Sequence, residues 1–148
     1  MDDRLEGRRG APFRMVVEEG KVREFARAVK SSNPEHLRQD APVSPVTFLM
    51  SAAHWQGPEH SAYAGIERDY SRILHGEQAF TFHGEPPLAG AVLTGQQRID
   101  RVYTKEGRRG GTMTFTEVVT DFTAADGRLV AEVRSTAIVT SQAPETSA

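Results

Sequence analysis

The stretch Ser44–Trp55, SPVTFLMSAAHW, decides the fold because it predicts a helix that is apolar on most of its sides. Ser44 is a favourable N-cap residue, and Pro45 suits the first helical position. The residues that follow leave no wide polar face, as in a helix that is buried inside a domain. Gly57 and Pro58 end the predicted helix. The rest of the chain must therefore supply apolar surface around it.

A second helix, amphipathic rather than buried, is predicted upstream. Between Glu18 and Lys30 the apolar residues recur at the spacing of one helix face: Val22, Phe25, Ala26 and Val29. Residues 31–43 contain two prolines and show no periodicity, so they predict an ordered loop between the two helices. Before both helices, Phe13–Val17 is expected to form a short strand.

The second half of the chain predicts antiparallel strands, because β-branched and aromatic residues alternate there with polar ones. The expected strands are Ser71–His83, Ala91–Thr104, Gly111–Thr123 and Leu129–Thr140. Glycine-containing turns at residues 107–111 and 125–127 join the last three strands into a meander. In the last strand one face is apolar, and we expect that face to pack on the buried helix.

A buried helix followed by a long antiparallel meander is the outline of an α+β hot-dog fold, in which a sheet wraps around a central helix. One domain is expected, because 148 residues suffice for a single core. We assign it to residues 12–141. The polar residues 1–11 and the small polar residues 142–148 are expected to be disordered.

The composition excludes several classes of function. Eighteen basic and twenty acidic residues give no electrostatic footprint for nucleic acid or an anionic membrane. The absence of cysteine excludes disulfides, thiolate metal sites and cysteine nucleophiles. Without a long apolar segment, a soluble cytoplasmic protein is expected. The five histidines lack the close spacing of a ligand motif, so no metal site is predicted.

The chain also resembles a known family, the MaoC-like dehydratases, and in particular the N-terminal-type domain found in subunits of the mycobacterial (3R)-hydroxyacyl-ACP dehydratase. The resemblance extends from Val16 to Thr140. It rests on the order and spacing of four stretches: VEEGKVREFARAV, APVSPVTF, LHGEQAFTFHGEPPLAG and DGRLVAEVRSTAIV. It implies reversible dehydration of a (3R)-3-hydroxyacyl thioester of CoA or acyl carrier protein, without a cofactor.

The resemblance also implies catalytic residues, and one of them is replaced. Active members carry Asp-x-Asn-Pro-x-His, in which Asp and His handle the proton and the water. Here Asn33, Pro34 and His36 match, whereas Ser31 stands at the Asp position. The resemblance therefore implies His36 as general base, with Ser31 or Asn33 orienting it or the water. The alternative is that His36 belongs to a solvated turn without a chemical role.

Substrate binding is implied at the start of the hot-dog helix. The family's glycine, whose amide polarises the thioester carbonyl, is absent, and Pro45 has no amide. The amides of Val46 and Thr47 are then expected to hold the carbonyl oxygen.

Five further candidate residues, two aromatic residues, one histidine and two arginines, have two interpretations each. Phe48 and Trp55 either line an acyl tunnel or belong to the core. His75 either contacts the substrate or satisfies backbone groups at a strand start or a dimer interface. Arg108 and Arg109 either meet CoA phosphates or an acidic carrier protein, or form a solvated turn.

The missing carboxylate leaves alternative functions open. The chain is either a dehydratase or a non-catalytic, substrate-holding subunit whose partner carries the complete Asp/His pair. A thioesterase or small-molecule binder on the same fold is a third possibility. In each case a homodimer, or a heterodimer with another hot-dog subunit, is expected because a lone sheet leaves an exposed edge.

Overall fold

The computed structural model describes residues 4–107 and 111–141. Its regular elements are β1 (Phe13–Val16), α1 (Glu19–Ala28), β2 (Ile73–Phe82), β3 (Val92–Glu106), β4 (Thr112–Ala124) and β5 (Leu129–Thr140). Four 3₁₀ helices lie between α1 and β2: Pro34–His36, Phe48–Trp55, Pro58–His60 and Tyr70–Arg72. The predictions for Arg108, Arg109 and residues 142–148 lie outside the described residues.

The five strands form one antiparallel sheet in the order β1-β3-β4-β5-β2. The predicted meander is present, because β3, β4 and β5 are consecutive neighbours in the sheet. Within residues 4–107 and 111–141, strand β2 pairs only with β5 and forms one edge. The predicted α+β hot-dog fold is confirmed.

The core lies between the helices and one face of the sheet. The largest cluster of buried side chains combines β1, α1, the Phe48–Trp55 helix and three central strands: Phe13, Met15, Val22, Phe48, Leu93, Phe122 and Val133. Phe13 reaches this cluster because Gly95, its partner on β3, has no side chain. A Cβ atom at Gly95 would lie 2.3 Å from the Phe13 ring.

The predicted helix start at Ser44 is wrong. The helix begins only at Phe48 and is of the 3₁₀ type. Ser44 is fully buried in extended chain, and its N–H donates to the Pro87 carbonyl at 3.0 Å. Val43 forms an isolated bridge with Leu88. This pairing with a segment more than forty residues away determines the backbone of residues 42–44, so Ser44 cannot act as the N-cap.

The predicted disorder of residues 1–11 is wrong for the part that the structure describes, residues 4–11. Gly7 donates to the carbonyl of Ile99 at 2.9 Å, and Gly10 donates to that of Gln97 at 3.0 Å. Strand β1 pairs with β3 only between residues 92 and 95, which leaves the edge of β3 open beyond that point. The N-terminal segment covers this edge. The polar composition of the segment did not indicate that it would pair with a strand.

The opposite face of the sheet carries a network of ion pairs around Arg98 and Arg134. Arg98 contacts Asp100 and lies 3.0 Å from Asp121, while Arg134 lies 2.9 Å from Asp100 and 2.6 Å from Glu117. Burial opposes ionisation of Asp100, but the hydrogen bond from Arg134 and the charges of both arginines outweigh it and hold its pKa below the usual value. The network therefore favours the charged form of Asp100.

Candidate functional site

The Asn-Pro-x-His element forms a capped single turn. Asn33 is the N-cap of the 3₁₀ helix Pro34–His36, and its side-chain oxygen accepts from the N–H of Glu35 at 3.0 Å. Pro34 occupies the first helical position, where no N–H is needed. Ser31 extends the turn backwards, because its Oγ accepts from the N–H of Asn33 at 3.3 Å. The local sequence thus builds the turn that presents His36.

The ring of His36 is held in one orientation. Its Nδ1 lies 2.8 Å from the carbonyl oxygen of Val43, and the ring is partly buried. A carbonyl oxygen only accepts, so Nδ1 carries the hydrogen. In neutral His36 the other ring nitrogen, Nε2, then has its lone pair available for a proton. The geometry is that of a positioned base.

The carbonyl of Asn33 accepts from the backbone N–H of His36 at 3.2 Å, but the side chains of Ser31 and Asn33 do not hold the His36 ring. Among the described residues, neither side chain forms a hydrogen bond with its ring. Their hydrogen bonds shape the turn instead. A role for Ser31 and Asn33 in orienting His36 or a water therefore stays a prediction, and the contact that fixes the ring comes from Val43.

The backbone amides of Val46 and Thr47, shortly after Val43 in the chain, are the candidate oxyanion donors. Pro45 accepts from the N–H of Phe48 at 2.9 Å, which makes Val46 and Thr47 the central residues of a turn. Within the part of the chain that the structure describes, their N–H groups have no acceptor. Val46 is only three residues from Val43, which holds His36. The short segment 43–47 therefore anchors the ring of the base and carries two candidate donors for an oxyanion.

A hollow of about 150 Å³ lies between the Phe48–Trp55 helix and the sheet. Its walls include the apolar residues Leu49, Met50, Ala53, Phe122 and Val133 and the polar residues Gln56, Gln78, Gln97, Thr120 and Ser135. Sequence reasoning did not assign these residues to a site. The sequence pattern that could have identified Gln78 is the alternation along β2. It puts Gln78 on the same face as Phe80 and Phe82, two residues that pack against the core.

Phe48 is mainly a core residue. Its side chain is fully buried, and its ring lies 5.5 Å from that of Phe25 in an edge-to-face arrangement. It also lines a second hollow of about 150 Å³ between α1 and the 3₁₀ helix. Trp55 is partly buried and packs against the same core. A tunnel-lining role for these two aromatic residues stays a prediction.

His75 lies far from His36 in space. It is exposed near the start of the edge strand β2, opposite Ala137. Seven residues of strand, about 24 Å, separate it from Phe82 at the other end. The loop that carries His36 is tied to Leu88, beyond that other end, through Val43. His75 and His36 therefore lie near opposite ends of β2, and contact of His75 with the substrate stays a prediction.

Acidic residues and histidines are the side chains of this protein that could bind a metal ion. Among residues 4–107 and 111–141, no three such side chains are grouped closely enough to hold an ion. The absence of a metal stays a prediction. In the same part of the chain, no helix is long and apolar enough to cross a membrane.

The chain has relatives among known proteins. Residues 4–133 match the family model described as the FAS1-like, dehydratase domain region. A UPF0336 protein of Clavibacter michiganensis is 38% identical over 105 residues, which cover 66% of this chain and 68% of that protein. A UPF0336 protein of Mycobacterium tuberculosis is 31% identical over 128 residues, which cover 81% of this chain and 74% of the relative.

Two solved structures resemble the chain in fold and sequence. The truncated HadBC (3R-hydroxyacyl-ACP dehydratase) complex of Mycobacterium tuberculosis has a TM-score of 0.71 at 27% identity, covering 93% of this chain and 99% of that one. A MaoC-like dehydratase has a TM-score of 0.70 at 26% identity, covering 91% of this chain and 43% of the other. The resemblance to MaoC-like dehydratases is confirmed, and the chain belongs to the FAS1-like dehydratase-region family.

Proposed function

We propose that this protein binds an acyl thioester of CoA or acyl carrier protein and takes part in the reversible dehydration of its (3R)-3-hydroxyacyl group to the trans-2-enoyl form. The observation that carries the proposal is the orientation of His36. Its Nδ1 donates to Val43, its Nε2 is available, and the same segment leads to the unpaired amides of Val46 and Thr47. A base and an oxyanion site are the parts that an enolate-forming reaction needs.

The proposed reaction begins with the thioester carbonyl on the two amides. His36 Nε2 removes the proton from the carbon next to the carbonyl, and the negative charge that moves to the carbonyl oxygen is held by the N–H groups of Val46 and Thr47. The enolate then reforms the carbonyl, the double bond forms, and the hydroxyl leaves. The proton on His36 combines with it, so the products are water, the enoyl thioester and neutral His36.

Ser31 limits this chemistry. A serine hydroxyl is not a base at neutral pH, and the Ser31 oxygen already accepts a hydrogen bond from Asn33. His36 must then serve both proton transfers without a carboxylate. This observation favours a second candidate, a substrate-holding subunit whose partner supplies the complete Asp/His pair. The related HadBC structure is a complex, which supports such an arrangement.

The edge strand β2 is the proposed contact with the partner. It pairs with β5 on one side only, and several of its residues from Leu74 to Glu77 are exposed. An unpaired edge of this length is a template for another strand. We propose a homodimer or a heterodimer with a second hot-dog subunit.

Hydration of crotonyl-CoA tests the proposal. The purified protein is assayed alone and with a candidate hot-dog partner, following loss of the enoyl absorbance, and release of free thiol is measured in parallel. Activity alone supports the dehydratase, and activity only with the partner supports the substrate-holding subunit. Thiol release without hydration would instead identify a thioesterase, and absence of crotonyl-CoA binding would refute the proposal.

A pair of histidine variants assigns the base. His36→Ala should lower turnover by at least about a hundredfold, the scale of a lost general base. His83→Ala is the matched control, because His83 pairs with Glu132 on the sheet, at a place that the proposed mechanism does not use. Equal effects of the two changes, with unaltered circular dichroism, would remove His36 from the mechanism.

A further inference from the structure

A larger cavity lies at the opposite end of the sheet from His36. Its volume is about 330 Å³, and it is bounded by the segment 63–73 and by the paired strands β4 and β5. The apolar lining residues are Leu5, Ile66, Ile73 and Val139, and Thr114 and Thr116 add hydroxyls. Because Ile73 begins β2 and the His36 loop is tied to Leu88, beyond the end of β2, this cavity is separate from the proposed thioester site.

Arg68 is the one cation at this cavity without an acidic or hydrogen-bonding partner among the described residues. Its guanidinium carbon lies 3.8 Å above the centre of the Tyr63 ring and 5.6 Å from that of Tyr70. Stacking on a ring leaves the N–H groups at the guanidinium edge unused. Those groups form a fork that matches the two oxygens of a carboxylate.

The other charged groups at the cavity are already engaged or exposed. Arg72 donates twice to the Thr140 carbonyl, at 2.8 and 2.5 Å. Asp69 accepts from the N–H and the hydroxyl of Ser71, and the side-chain hydrogen bond is the main reason why its pKa lies below the usual value. Glu67 is exposed. Two carboxylates near the opening disfavour a dianion more strongly than a monoanion.

Tyr63 supplies a second indication of a ligand. Its hydroxyl is buried and has no hydrogen-bond partner among the described residues. A buried polar group without a partner is uncommon and costs stability. Tyr63 lines the same cavity as Arg68, so a polar group of a bound ligand is a candidate partner for this hydroxyl.

We propose that this cavity binds a small apolar monocarboxylate, with the hydrocarbon body on the Leu5, Ile66, Ile73 and Val139 surface and the carboxylate on the guanidinium of Arg68. A volume of 330 Å³ corresponds to about eleven water molecules of the liquid, so a ligand of about ten non-hydrogen atoms fits. Octanoate has this size and is a suitable probe.

Calorimetry with octanoate, octanamide and octyl phosphate tests the ligand class on the unaltered protein. We expect octanoate to bind at least about tenfold more tightly than octanamide, since only the acid forms a charged hydrogen-bonded pair with Arg68. Octyl phosphate should bind more weakly than octanoate. Equal binding of the acid and the amide, tighter binding of the phosphate, or no binding at millimolar concentration would each overturn the proposal.

Two arginine variants test the location. Arg68→Gln should weaken octanoate binding at least about tenfold and remove the preference over octanamide. Arg101→Gln is the matched control, because Arg101 also lies over a tyrosine ring, 4.6 Å from the centre of Tyr103, but does not line this cavity. If the Arg68 variant binds octanoate as tightly as the parent, or if both variants lose affinity equally, the octanoate site is not at Arg68 and the proposal is overturned.

A chemical protection experiment remains decisive if the Arg68 variant fails to fold. Phenylglyoxal modifies exposed guanidinium groups, and mass spectrometry identifies the modified arginine. In the unaltered protein octanoate should protect Arg68 at least about fivefold and leave Arg101 unprotected. Modification of Arg68 at the same rate with and without octanoate would overturn the proposal.

Discussion

Ser31→Asp should raise the hydratase activity of this protein, because it places a carboxylate two residues before Asn33 on a turn that is already formed. The Ser31 oxygen accepts from the N–H of Asn33 at 3.3 Å, and an aspartate oxygen can accept the same hydrogen bond. The turn that carries His36 should therefore persist. The second carboxylate oxygen is then available for the water or the leaving hydroxyl.

The magnitude of the gain follows from the new carboxylate. A positioned acid or base contributes about a hundredfold to ten-thousandfold. The carbonyl site lacks one donor at Pro45, and loss of one oxyanion donor costs about a hundredfold to a thousandfold. This donor is missing in the parent and in the variant alike, so it lowers both rates and leaves their ratio unchanged. The gain over the parent should therefore be about a hundredfold or more.

The assay is hydration of crotonyl-CoA, with binding of crotonyl-CoA measured separately. Ser32→Asp is the matched control, since it adds the same charge one residue further along the chain. A gain in the Ser31 variant alone supports the position of Ser31 at the catalytic Asp site. The reasoning is refuted if the Ser31 variant binds crotonyl-CoA normally but stays inactive, if both variants gain equally, or if the parent is already a fast hydratase.

Three further predictions concern assembly and stability. Light scattering at micromolar concentration should show a dimer, and a species of 16.3 kDa would contradict pairing through β2. Asp100→Asn should lower the free energy of unfolding by about 1 kcal/mol at pH 7, because two arginines contact this partly exposed carboxylate. The pKa of Asp100 is lowered in the folded state, so its contribution is present above the unfolded pKa of about 4 and is lost as the pH falls through the folded value. Urea titrations should therefore show a smaller difference between parent and variant at pH 3 than at pH 7, and a constant difference would exclude this role. Gly95→Ala should destabilise the fold by about 1 to 3 kcal/mol, because the added Cβ atom clashes with the Phe13 ring. Gly20→Ala is the control and should not destabilise it, because a Cβ atom there has no neighbour within 4 Å. Similar melting temperatures for the two variants would contradict the close packing of Phe13 on Gly95.

The sequence by itself determined the elements whose patterns are local. The alternation of apolar and polar residues predicted β2 to β5, and the spacing of Val22, Phe25 and Ala26 predicted α1. The two prolines in residues 31–43 predicted an ordered loop, and the structure has a capped 3₁₀ turn within it at Pro34–His36. Such features depend on neighbours a few residues away, so they are readable without the fold.

Only the tertiary structure decided the features that depend on distant partners. Ser44 has the sequence of a helix cap, yet pairing with the segment 87–89 makes it extended. Residues 7–10 are polar, yet the open edge of β3 orders them. The nitrogen of His36 that carries the hydrogen is determined by the carbonyl of Val43, and the place of Gln78 in a hollow is determined by the helix that packs over the sheet. In each case a backbone group or surface elsewhere in the chain supplies the deciding contact, and local propensity, worth about 1 kcal/mol or less per residue, is too weak to resist it.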